Sequence, residues 1–123
     1  INIKMRDFRK LNIWIKSHNL VLEVYKLTKV FPQEEKFGLI SQIQRACVSI
    51  PANISEGCGR KSNADFSRFL IMAFGSASET EYFLILSKDL GYISIEQYNE
   101  LENLVFEIKK MISSFLNKLK ADN

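Results

Sequence analysis

The chain has 123 residues, 46% hydrophobic and 25% charged, which suits one domain spanning residues 1–123 and excludes both a disordered chain and a two-domain protein. Its 17 basic and 14 acidic side chains leave a formal charge of +3, too small an excess to point to a polyanion partner by itself.

Ile1 to Lys4 precede Met5 and a helix-like run, and the sequence leaves open whether they belong to the natural protein or lie upstream of it. No signal-peptide pattern appears, so Cys47 and Cys58 read as free thiols in a reducing cytoplasm, where the protein is expected to reside. A first helix is predicted over about residues 13–30, with Asn12 as N-cap and Pro32 closing the exit. Trp14, His18, Val21, Tyr25 and Thr28 recur at steps of four and three and mark its expected inner face.

The second helix, about 39–56, carries the stripe Leu39, Ile43, Ala46, Ile50 and Ile54 and stops at Gly57. Pro51 inside it removes one backbone hydrogen bond and clashes with the carbonyl of Cys47, so a kink is expected there. The third helix, about 63–90, starts from Ser62 or Asn63 and ends at Gly91, with the stripe Phe66, Leu70, Ala73, Ala77, Thr80 and Leu84. Ile71, Met72, Phe74, Tyr82, Phe83, Ile85 and Leu86 lie outside that stripe, so this helix needs cover on more than one side. The unbroken apolar run within it, Phe69 to Ala77, is about half the length of a bilayer span, and no membrane helix is expected.

The fourth helix, about 95–119, opens on the capping box Ser94-Ile95-Glu96-Gln97 and repeats Leu101, Val105, Ile108, Ile112, Phe115 and Leu119. Joints of a few residues make sequential helices antiparallel neighbours, so the expected fold is an all-α up-down-up-down four-helix bundle.

Bundle enzymes hold a metal or cofactor between helices through paired Glu-x-x-His motifs, and this chain has one histidine, His18, which reads as a packing residue. Cys47 and Cys58 lack zinc spacing, and no nucleophile elbow presents a serine. No catalytic residue, cofactor or metal is expected. The loop Gly57-Cys58-Gly59-Arg60-Lys61-Ser62 misses phosphate-loop spacing and reads as a tight turn beside solvated cations rather than an anion site. Ser49, Asn53 and Glu56, with Ser76, Ser78, Glu79 and Glu81, read as a hydrogen-bonded seam between the second and third helices rather than a ligand site.

The run Phe31-Pro32, Glu35, Gly38-Leu39, Gln42, Arg45-Ala46, then SIPANISEG over residues 49–57 and Gly59-Arg60, resembles a signature. It is that of the four-helix bundle proteins named for intervening sequences in bacterial 23S ribosomal RNA genes. Arg68-Phe69-Leu70, Gly75-Ser76, Glu81-Tyr82 and Leu90-Gly91-Tyr92-Ile93 extend the likeness over nearly the whole chain. The resemblance implies a bacterial all-helical protein with no established reaction and a homopentameric ring. The accessory proteins of diversity-generating retroelements are similar too; they are basic barrels that bind nucleic acid and a reverse transcriptase, and this chain departs from them in its +3 charge.

The leading expectation is an oligomeric binding protein associated with RNA or another nucleic acid, contacted by Arg45, Arg60, Lys61 and Arg68 around one joint. The alternative is a ring that presents a surface to a protein partner without binding nucleic acid. Assembly itself is expected from the second apolar faces of the third and fourth helices.

Overall fold

The structure, a computed structural model, describes residues 6–121, and Ile1–Lys4 lie outside that range. Its helices are α1 (Asn12–Thr28), α2 (Leu39–Cys58), α3 (Asn63–Asp89) and α4 (Ile95–Ala121), with short 3-10 turns at Phe8–Lys10 and Gln33–Glu35. No strand occurs among the described residues.

Local chemistry sets most of the boundaries. The Ser62 hydroxyl accepts from the Asp65 amide at 3.1 Å and starts α3. Ser94 and Gln97 form a reciprocal box: Ser94 Oγ accepts from the Gln97 amide at 3.0 Å, and Gln97 Oε1 from the Ser94 amide at 2.9 Å. Gly91, at φ +79°, ends α3 in the left-handed region, with the Tyr92 amide returning to the Ser87 carbonyl at 2.9 Å. The start of α1 differs from expectation. Leu11, not Asn12, holds the cap position, and no side chain caps this end.

Glu35 supplies a cap from outside. Its Oε1 accepts from the Leu39 amide at 3.2 Å, and its Oε2 accepts from the Tyr92 hydroxyl at 2.9 Å. The Tyr92 ring in turn lies 5.3 Å from Phe31, so one carboxylate joins the α1–α2 and α3–α4 connections.

The expected stripes of α2 and α3 are all buried, and that of α4 is buried except for half-buried Phe115. The α1 stripe is corrected except at Thr28, which is buried: Ile13, Ser17, Leu20, Val24 and Leu27 face the core, whereas Trp14, His18 and Val21 are half-buried on its flank and Tyr25 is exposed. Trp14 stacks on His18 at 4.9 Å, and Ser17 is buried because its hydroxyl donates to the Trp14 carbonyl at 3.0 Å.

Each helix packs on the next and α1 packs back on α4, around one shared core. Along the α3–α4 seam, Phe66 meets Phe115, Glu81 meets Lys109 and Lys88 lies over Tyr98, so partners descend on α4 as they ascend on α3. The α2–α3 seam runs likewise, with Ser49 against Ser76 and Gly57 against Phe66. A Cβ at Gly57 would lie 2.8 Å from the Phe66 ring, so the ring packs here in space that a side chain on this residue would take.

By length and composition α3 is apolar enough to cross a bilayer, with a mean hydropathy of 1.3 over its most apolar window. That corrects the expectation drawn from the unbroken run Phe69–Ala77 alone. Its inner stripe packs between α2 and α4 as a core helix of the bundle.

α2 continues through Pro51, which is buried and has no amide to give the Cys47 carbonyl. We propose an axis bend there. A crystallographic axis angle tests it: a bend of more than about 20° is expected, and a straight axis refutes it.

Candidate nucleic-acid interface

The joint between α2 and α3 is only a few residues long because Gly59 closes α2 and Ser62 opens α3. That brevity holds Arg60, Lys61 and Arg68 close together. The Arg60 guanidinium lies 4.7 Å from the centre of the Phe69 ring and that of Arg68 lies 4.9 Å from it. Two cations therefore share one aromatic ring, which is itself 8% exposed. Each also holds a carboxylate: Arg60 donates to Glu56 at 2.8 Å, and Arg68 to Asp65 at 3.5 Å. Lys61 is exposed between them, with no ion pair among the described residues.

Arg45 does not belong to this group. It stands thirteen residues before Cys58, the last residue of α2, about 20 Å along the axis at 1.5 Å per residue, and Arg60 lies beyond that end. It lines a shallow cleft with Tyr25, Lys36, Phe37 and Gln44 near the other end of the bundle. The expected cluster of four is therefore a cluster of three.

A residue given no role from the sequence joins that cluster. Arg6 lies 4.4 Å from the centre of the Phe66 ring and donates to Asn63 Oδ1 at 3.0 Å, at the first turn of α3. Its distance in sequence hides this placement, since 57 positions separate it from Asn63. Asn63 after a capping serine was the one available signal of a polar partner there.

The remaining candidates for chemistry are packing residues. Burial pushes the Cys47 thiol up to about 12, with its backbone hydrogen bonds pulling the other way, and burial also raises that of Cys58. Neither supplies a thiolate near neutral pH. Among the described residues no group of three or more His, Cys, Asp or Glu is placed to hold a metal ion. The polar seam forms in part: Ser49 Oγ accepts from Ser76 Oγ at 2.9 Å and from Asn53 Nδ2 at 3.0 Å. Glu56 and Glu81 are instead engaged by Arg60 and Lys109, and Glu79 is exposed.

A bundle of four helices with no metal cluster among its described residues and a cationic joint defines a small helical protein with a surface to offer. The sequence model of the 23S rRNA-intervening sequence protein family matches residues 9–114, and the chain belongs to that family. A solved structure from Bacteroides thetaiotaomicron, a protein of unknown function from the S23 ribosomal protein family, is 35% identical to it. The likeness covers 85% of this chain and 97% of that one, at a TM-score of 0.78. No curated protein matches the chain.

Proposed function

We propose that the chain is a non-enzymatic binding protein that acts as a homo-oligomer, a pentameric ring in the leading form, and associates with RNA at the α2–α3 joint. The observation that carries the reading is an outward apolar face on α3: Ile71 is 60% exposed, Tyr82 56% and Ile85 36%. Phe106 extends it on α4, at 55% exposure and one turn from the seam residue Lys109. Monomeric proteins seldom leave such a patch in water. Met72 is exposed as well, Phe74 and Leu86 are half-buried, and Phe83 is buried.

Arg60, Lys61 and Arg68 support the nucleic-acid part, because guanidinium and ammonium groups on a rigid turn match phosphate oxygens. Arg60→Ala with Lys61→Ala removes two of them from the surface. RNA binding measured against salt is expected to weaken, and its salt slope to flatten by about one for each phosphate that is no longer neutralised. Equal affinity and an equal slope in the double variant would remove the joint from the site.

The second reading, a ring that holds a protein partner without nucleic acid, is favoured by one feature, Phe37, which stands 89% exposed beside the Arg45 cleft. It predicts no salt-dependent RNA binding by the wild type.

A further inference from the structure

The modest net charge conceals a division between the two ends of the bundle. One end gathers the residues before α1, the α2–α3 joint and the last turns of α4. Arg6 reaches Asn63 and Phe66 there, and Phe66 meets Phe115. Lys118 shares a shallow cleft with Leu11 and Asn12, and Lys120 shares another with Ala64 and Ser67.

Three segments distant in sequence bring their cations to this end. Residues 6–10 supply Arg6, Arg9 and Lys10; residues 56–68 supply Arg60, Lys61 and Arg68; the end of α4 supplies Lys118 and Lys120. Among the described residues three carboxylates stand with these eight cations, Asp7, Glu56 and Asp65, each held by an arginine. The opposite end, knit by Glu35, Tyr92 and Phe31, reverses the sign. Residues 23–45 and 88–102 there hold seven carboxylates against four lysines and Arg45. A formal +3 for the chain is thus a strongly positive end opposed by a negative one.

We infer that this whole basic end, and not the α2–α3 joint alone, is a contact surface for the phosphate backbone of RNA, read without regard to base sequence. The inference rests on the RNA association proposed above and names its footprint and mode. Phosphate fits because the side chains on offer are guanidinium and ammonium groups from three segments, spread over one end. Base reading does not fit. Of the aromatic rings at this end, Phe66 and Phe69 are buried beneath arginines, and Phe8, Trp14 and Phe115 are half-buried and packed against the core, so none stands free as a stacking platform. Phe37, the most exposed aromatic, stands by the Arg45 cleft instead. Cyclic assembly sets equivalent ends of its copies at one height around the axis, so a ring would join these surfaces into a continuous basic band.

The experiment compares the full chain with three double variants, Arg60→Ala with Lys61→Ala and two others, on short single-stranded RNAs of unrelated sequence, across about 50 to 200 mM salt. Lys118→Ala with Lys120→Ala removes two cations from the basic end, and Lys26→Ala with Lys29→Ala removes two from the acidic end, an equal change of net charge. The first pair is expected to weaken binding and make the salt slope shallower by roughly 1.4, about 0.7 for each phosphate left unneutralised on a single strand. The second pair is expected to change neither, and the unrelated RNAs to bind alike. Equal weakening by both pairs would show a response to bulk charge and overturn the inference. Weakening by Arg60→Ala with Lys61→Ala but none by Lys118→Ala with Lys120→Ala would confine the surface to the joint, overturning the inference while the RNA reading stands. Strong preference for one RNA sequence overturns the phosphate mode, and no binding by the wild type overturns both.

Discussion

Phe66→Ala is expected to cost about 3–5 kcal/mol of folding stability, the range for deleting a fully buried phenylalanine side chain. Phe66 has no solvent exposure, meets Phe115 edge-on at 5.3 Å, carries the Arg6 guanidinium at 4.4 Å and fills the space left by Gly57. Its loss therefore opens a cavity where α2, α3 and α4 converge, and also removes the perch of Arg6. A domain of this size has about 5–15 kcal/mol in total, so the variant forfeits a large share of it. Thermal or urea unfolding checks this, with Phe66→Leu as the smaller change and the smaller expected loss. A Phe66→Ala midpoint within error of the wild type would contradict the packing described.

Second in size is the effect of Ile71→Lys with Tyr82→Lys on assembly. Burying one large apolar side chain contributes roughly 1.5–3 kcal/mol, and association has about 4–15 kcal/mol of lost freedom to overcome. Two lysines on the outward face of α3 replace a favourable burial with charges that resist desolvation. Because both positions are exposed in the single chain, its fold is expected to persist while the oligomer falls to 14.2 kDa units. Helical circular dichroism checks the first outcome and sedimentation the second; an intact oligomer in the double variant would move the interface off this face.

Much of this architecture was legible because the stripes of α2, α3 and α4 are mostly aliphatic and recur at helical spacing. α1 was not, because its largest side chains are amphipathic. Trp14, His18 and Tyr25 can rest on a flank with their polar tips in water, while Ser17 enters the core by bonding the carbonyl three residues back. A reading that ranks faces by side-chain bulk selects the aromatic flank and is displaced by one residue.

The site divides in the same way. Arg60, Lys61 and Arg68 are neighbours through a short turn, so sequence proximity carried the information. Arg45 seemed near them only because the thirteen helical residues from it to the end of α2 are a short step in sequence and a long one in space. Arg6 and Lys118 lie more than a hundred positions apart, and they come to one end of the bundle only after the helices fold back on one another. Net charge sums over both ends and erases that division.

Assembly is the claim on which the proposed function turns, and light scattering coupled to size-exclusion chromatography tests it most directly. At micromolar concentration the account predicts one species whose molar mass is a whole multiple of 14.2 kDa, five in the leading form. A closed ring of another size would refute only the number five, whereas a single 14.2 kDa species at that concentration would contradict the account.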